Sequence, residues 1–266
     1  MMTERSRYYT LITGASKGIG RALAIECAKK GMNLALISLP DENLEELSNE
    51  LIEKYKIKSS YKTINLTDNN APEIIYNWCI ENKLKVNTLI NNAGFGCVGR
   101  FENQSAGFYM QMIDLNVNSV VLLTRLFLPD LKENSPSYIL NLGSIASFYP
   151  IPYKTAYSAT KIFVYSFSRA LREELRLFNI NVSILCPGPV ITNSDVITRI
   201  HQQGQIGKWS ALPPKRVAAI AIKKMLRKKF IIIPGFLSKV SFYAEKIVPM
   251  FIKQKLAARI FIKSSR

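Results

Sequence analysis

Seven short apolar runs alternate with stretches of helical spacing along most of this 266-residue chain, and that rhythm leaves few folds open. The runs are Tyr8 to Thr13, Asn33 to Ser38, Tyr61 to Leu66, Val86 to Gly94, Tyr138 to Ser144, Asn181 to Pro187 and Phe230 to Ile233. Helical patterns lie between them: Ile19 to Lys30, a helix opened by Pro40-Asp41, Ala71 to Glu81, Gly107 to Lys132, Ala156 to Phe178, and Pro214 to Lys228. In the second helix Leu44, Leu47, Leu51 and Ile52 share one face. Strands that are apolar throughout must be covered on both sides, and helices between them require parallel crossovers. The expected fold is therefore α/β: a doubly wound parallel sheet of about seven strands. No linker or repeat interrupts it. One domain is expected over residues 1–234, with an extension over 235–266.

The first strand runs into "TGASKGIG", Thr13 to Gly20. Gly14 permits a tight turn, Gly18 lets a phosphate approach the backbone, and Gly20 lets the helix pack closely. The helix N-terminus that follows favours negative charge. The glycine spacing is GxxxGxG, and by itself it marks only a turn.

"TAYSATK" then puts Tyr157 and Lys161 one helical turn apart on one face. A free phenol has a pKa of about 10 and a free lysine about 10.4, so neither titrates near neutrality. An ammonium fixed beside the phenol favours phenolate and makes the tyrosine a usable acid and base. Ser144 ends the fifth strand shortly before this helix. Asn116 is a polar residue inside the apolar helix "LNVNSVVLL", and "NNAG", Asn91 to Gly94, makes a small turn at the sheet's carboxyl edge. Open α/β sheets bind ligands at that edge.

Together TGASKGIG, NNAG, Asn116, Ser144, YSATK and "PGPVIT" (Pro187 to Thr192) resemble the short-chain dehydrogenase/reductase family, in its single-domain branch. The resemblance implies a Rossmann-type sheet and hydride transfer between a nicotinamide and a carbonyl/alcohol pair, without a metal. Tyr157 would be the acid/base, Lys161 would lower its pKa and hold the nicotinamide ribose, and Ser144 would hydrogen-bond the substrate oxygen. Asn116 would hold a relay water. Gly14, Ser16, Lys17, Gly18, Ile19 and Gly20 would cradle the pyrophosphate and adenosine ribose. Asn92, Ala93 and Gly94 would flank the adenosine, with Asn65 and Leu66 meeting the adenine. Pro187, Gly188, Val190 and Thr192 would line the nicotinamide.

Relatives that take NAD place an acid at the end of the second strand, where this chain has Ser38. Lys17 resembles the basic residue used against a 2′-phosphate. NADP(H) is favoured on these grounds and NAD(H) stays open. The family's arginine after the strand is missing, replaced by Leu39-Pro40. Residues between Thr192 and Pro213, with Ile197, Ile200, Ile206 and Trp209, are expected to form a lid. Phe95, Ile145, Phe148 and Tyr149 would make an apolar mouth suited to a hydrophobic or acyl-type ketone. A reductase of that kind is the favoured reading. The alternative is a non-catalytic dinucleotide-binding redox sensor or membrane-associated scaffold, which has no need of the Asn116, Ser144, Tyr157 and Lys161 set.

Charge is distributed unevenly. Up to Asp195 the chain carries 20 basic and 18 acidic residues; after it come 16 basic residues and one acid, Glu245, so nearly all of the net +17 lies in the last quarter. Phe242, Ile247, Val248, Phe251, Ile252, Leu256, Ile260 and Phe261 fall near helical spacing there, with Pro249 as a kink or helix start. Such a segment could lie on an anionic membrane, pack on its own domain, or pack on a second subunit. A homo-oligomer is expected, and nucleic acid is not, since no reading motif accompanies the charge. Cys27, Cys79, Cys97 and Cys186 have no paired spacing, and His201 is the lone histidine, which argues against disulfides, metal sites and histidine triads. The opening "MMTERSRYY" is too polar for a secretory leader, and no run approaches the roughly 18 apolar residues of a membrane span, so a cytoplasmic protein is expected, either free or peripheral to a membrane.

Overall fold

The computed structural model describes residues 7–40, 42–192, 209–245 and 248–262. Seven parallel strands form one sheet: β1 (Tyr9–Thr13), β2 (Asn33–Ser38), β3 (Ser59–Thr63), β4 (Val86–Asn91), β5 (Ser137–Leu142), β6 (Ile180–Leu185) and β7 (Ile231–Ile232). Their order is β3-β2-β1-β4-β5-β6-β7. The chain winds outward from β1 in one direction and restarts at β4 in the other, so a crevice opens beyond the carboxyl ends of these two strands.

All six residues of β2 are buried, as a strand between two others with helices on both faces must be. One face of the sheet is covered by α1 (Gly18–Ala28), α2 (Leu44–Tyr55) and α7 (Pro214–Met225). Ile12, Leu23, Leu34, Leu36, Leu47, Ile222 and Met225 pack there. The opposite face is covered by α3 (Ala71–Glu81), α5 (Ser119–Glu133) and α6 (Thr155–Leu175), around Leu11, Ile37, Ile75, Leu89, Phe127 and Ile139. Buried amides join β4 to β5: Asn91 donates to Asn141 at 2.8 Å, and Asn141 donates to Ser168 Oγ on α6 at 2.9 Å. Amide bonds running from strand to strand to helix favour one strand register, although Asn91 Oδ1 itself is buried without a hydrogen-bond partner.

Several boundaries differ from the sequence expectation. β3 begins at Ser59 and ends at Thr63, because it is an edge strand with a mixed burial pattern and lacks an apolar run. Leu66 is buried among the Ile37 and Ile75 side chains just beyond it. β7 shrinks to two residues: Ile231 and Ile232 stand in register with Ile184 and Leu185 of β6, while Phe230 gives its carbonyl to the Ile184 N–H. The long helix is α4 (Ala106–Ile113) continued into α5 through a wide π turn at Asp114–Asn118. By length and composition this 28-residue helix could cross a membrane, where no segment of that kind was expected. Its Met112, Leu123, Phe127 and Leu131 are buried in the domain, as in a core helix.

After β7 come α8 (Phe236–Glu245) and α9 (Met250–Ile262), the second starting directly after Pro249. Both touch the body. Ser238 of α8 is buried against Gly188, and Ala257 of α9 packs with Ala146 and Ile151.

Candidate active site

The turn after β1 is held by an interlock with the turn after β4. Thr13 Oγ1 accepts the Asn92 and Ala93 N–H groups, both at 3.0 Å. Asn92 Nδ2 returns bonds to the Thr13 and Gly14 carbonyl oxygens at 2.9 and 3.1 Å. Gly14 and Gly18 sit at φ 64° and 54°, the left-handed region. Gly20 has a different reason from close packing on the sheet: a Cβ there would overlap the Gly14 carbonyl oxygen.

This edge fits a dinucleotide. With its amide nitrogen engaged, Asn92 has Oδ1 buried without a hydrogen-bond partner, an acceptor available to a ribose hydroxyl. A Cβ on Gly18 would lie 3.0 Å from Thr192 Cγ2, so the glycine turn and the segment after β6 face each other closely enough to bracket a pyrophosphate. Pro187 accepts the Ile145 N–H through its carbonyl, Val190 is buried in the core, and Ile19 packs against the same core. Ala93 is partly buried against the opposite core. Asn65 Oδ1 already accepts the Thr67 N–H and hydroxyl, at 3.1 and 2.9 Å, and so shapes its own turn.

The catalytic candidates converge beside this edge. Tyr157 and Lys161 lie in the first two turns of α6. Lys161 is buried and donates to the Leu142 carbonyl at 2.8 Å, with Nζ 5.9 Å from the centre of the Tyr157 ring. Burial pushes its pKa down to about 8. Asn116 is buried in the π turn, where the wide winding aims its amide across to the loop after β4. Nδ2 donates to the Phe95 carbonyl at 2.9 Å and to Thr160 Oγ1 at 3.1 Å, and Oδ1 accepts the Phe95 N–H at 3.1 Å. Thr160 in turn donates to the Tyr157 carbonyl at 2.8 Å. Gly94 lies between Asn116 and Lys161: a Cβ on it would be 2.7 Å from Asn116 Oδ1 and 3.5 Å from Lys161 Nζ.

Ser144 leaves β5 and caps the short turn Ile145–Ser147, on which α6 packs. Its oxygen accepts the Ala146 N–H at 3.1 Å, which leaves the hydroxyl proton to donate. Cys186 is buried nearby, within electrostatic reach of Lys161; burial pushes its thiol up to about 12, so it stays protonated. Of the expected mouth, Tyr149 stands with Tyr157, Ile151 and Ala257. Phe148 belongs to a different cluster, meeting Tyr165 edge-on and Phe242 at a tilt. Of the expected lid, residues 193–208, with Ile197, Ile200 and Ile206, lie outside the described residues, as does Ile247, while Trp209 is described and exposed.

Four participants were not singled out in the sequence. Thr160 accepts from Asn116 and donates to the Tyr157 carbonyl, and the Leu142 carbonyl accepts from Lys161. Gly96 makes room for the phenol: a Cβ there would overlap the Tyr157 ring, 2.7 Å from Cε2 and 2.9 Å from Cγ. Glu42 brings a carboxylate to the end of β2, where Ser38 had suggested none: Ser38 Oγ donates to it at 2.6 Å, Ser16 Oγ donates to the same oxygen, and Lys17 Nζ bonds the other at 3.1 Å.

A doubly wound sheet with a glycine turn at its crevice, and a serine, tyrosine and lysine beside it, defines a chain of the short-chain dehydrogenase family. The family model described as short chain dehydrogenase matches residues 9–202, so the chain belongs to that family. Among curated relatives, the very-long-chain 3-oxoacyl-CoA reductase of Anas platyrhynchos is 35 % identical over 205 residues, covering 72 % of this chain and 62 % of the relative. The chain thus matches under two thirds of that protein's length. A short-chain dehydrogenase from Sphingobium yanoikuyae, solved with NADPH, superposes with a TM-score of 0.78 at 25 % identity, covering 94 % of this chain and 95 % of the other. One from Burkholderia phymatum, solved with NAD, gives the same TM-score and identity over 90 % and 94 %.

Proposed function

We propose that the protein is an NADP(H)-dependent reductase of a hydrophobic ketone, with the 3-oxo group of a long acyl thioester as the best-fitting substrate. The carrying observation is the joined set Asn116, Thr160, Tyr157 and Lys161, with a donor-ready Ser144 at the same sheet edge. A nicotinamide bound there supplies the hydride. Tyr157 gives its phenolic proton to the carbonyl oxygen, and Ser144 donates a hydrogen bond to that oxygen as charge grows on it. The Lys161 ammonium, held by the Leu142 carbonyl, favours the phenolate left behind. Gly14, Gly18 and Asn92 would hold the pyrophosphate and ribose, and Ser16, Lys17 and Ser38 the 2′-phosphate.

The substrate class rests on the surroundings of Tyr157. Ile151, Tyr149 and Ala257 give it apolar neighbours, and Lys253 lies 5.9 Å from the Tyr149 ring centre, a cation suited to an anionic carrier. The name of the Anas platyrhynchos relative supports the same class. NADPH oxidation should be followed with 3-oxoacyl-CoA substrates of graded chain length and with short ketones. Turnover rising with chain length is expected, and activity confined to short polar ketones would reject the class.

Residues 1–234 then form the catalytic body and 235–266 an appended arm. Phe236, Leu237, Val240 and Tyr243 on α8, and Phe251 and Leu256 on α9, are exposed beside Lys239, Lys255 and Arg259. Apolar surface edged with lysine suits an anionic bilayer. The full chain should sediment with vesicles containing phosphatidylserine at low salt and be released by high salt. Equal recovery in the supernatant with and without vesicles would reject membrane docking.

A further inference from the structure

Three donors at the end of β2 have a carboxylate of this chain as their present acceptor. Ser38 Oγ and Ser16 Oγ both donate to Glu42 Oε2, and Lys17 Nζ lies 3.1 Å from Oε1. These donors come from two separate segments, the glycine turn and the end of β2, which meet only at this edge. Glu42 itself belongs to no helix or strand. It lies in the connection after Pro40 and just before Asn43, whose φ is 49°, ahead of α2. Its side chain is 20 % exposed and that of Lys17 74 %. Burial works to raise the Glu42 carboxyl, but hydrogen bonds from Ser16, Ser38 and Lys17, with the Lys17 charge, carry it below its ordinary value. Glu42 is therefore an anion whenever the other groups of the site are in their working charge states.

We infer that Glu42 is a built-in occupant of the 2′-phosphate subsite, one that the phosphate of NADP(H) must displace, and that it thereby sets the discrimination between the two nicotinamide dinucleotides. This rests on the reading of the edge as a dinucleotide site. A carboxylate only accepts hydrogen bonds, and so does a fully ionised phosphate. The two compete for one set of hydroxyl and ammonium protons and repel each other. A ribose 2′-hydroxyl both donates and accepts, so an unphosphorylated dinucleotide can join the cluster with Glu42 in place. Lys17 serves whichever anion is present. Glu42 reaches the donors from a loop, so its backbone as well as its side chain can move off them without breaking a ladder.

Isothermal titration of the full chain tests this with four probes: NADP+, NAD+, 2′-AMP and 5′-AMP. Glu42→Ala and Glu42→Gln should tighten NADP+ and 2′-AMP about tenfold, a change of about 1.4 kcal/mol. NAD+ and 5′-AMP should stay within about threefold. Lys17→Ala should weaken the two phosphorylated probes. The Gln variant keeps the side-chain shape and serves if the Ala variant fails to fold. Unchanged or weaker NADP+ and 2′-AMP binding in both Glu42 variants overturns the proposal, while a wild-type chain that still prefers NADP+ over NAD+ leaves the cofactor reading intact. If only the variants bind NADP+, Glu42 is the discriminating residue and the wild-type preference for NADP(H) falls. If neither wild type nor variant binds any of the four probes, the dinucleotide reading fails and this inference with it.

Discussion

Tyr157→Phe should lower turnover about a thousandfold while leaving the dinucleotide's dissociation constant within about twofold. General acid–base groups contribute about 10²- to 10⁴-fold, and the phenolic oxygen is the atom that the proposed proton transfer uses. The ring itself stays: its packing with Ala146, Ile151, Tyr149 and Ala257 involves no proton. Stopped-flow single turnovers with NADPH would separate the chemical step from binding, and calorimetry would report the affinity. The wild-type pH profile carries the companion signature. Lys161 is held down to about 8, so kcat/KM for reduction should fall as pH rises through that value, when the ammonium beside the phenol is lost. In the phenylalanine variant the residual rate should show no such step. Turnover within tenfold of wild type would remove Tyr157 from the acid/base role.

Gly96→Ala should cost about a hundredfold in kcat with little change in dinucleotide affinity. The added methyl would overlap the Tyr157 ring, so the ring must move, and a misplacement near 1 Å is enough for a loss of that size. Gly96 lies in the loop after β4, outside both large cores, so the melting temperature should move by no more than a few degrees. Gly107→Ala is the control. Its Cβ would meet nothing nearer than Ser105 Oγ at 3.9 Å, and activity should be unchanged. Steady-state kinetics of both variants checks the contrast. A fully active Gly96→Ala enzyme would mean that the phenol's position is not the one that matters.

Much of this was legible from residue patterns, for identifiable reasons. β2 is apolar throughout because both its faces are covered, and a strand of that kind is visible in the chain. β3 starts and ends two to three residues before its expected bounds because an edge strand has no such signature: Ser59 and Ser60 pair with Leu34 and Ala35, while Ile64 and Leu66, which mark the apolar run, follow the ladder. Tyr157 and Lys161 announce themselves because their relation is local, one helical turn. Gly96 and Glu42 do not, because what gives them meaning is on another segment: the ring of Tyr157 for one, the hydroxyls of Ser16 and Ser38 for the other. Ser38 shows the limit clearly. Its identity indicated an edge without an acid, and only the folded loop brings one there.

The wide turn at Asp114–Asn118 has a consequence for how this protein can change. One residue advances an ordinary helix by about 100°. A wide turn takes up one extra residue locally, so deleting a single position between Ile113 and Ser119 would restore regular winding and leave the flanking helices nearly in phase. Leu123, Phe127 and Leu131 would keep their seat on the sheet, while Asn116 would leave Phe95 and Thr160. The helix's packing thus tolerates a shortening at this point that the amide's aim does not.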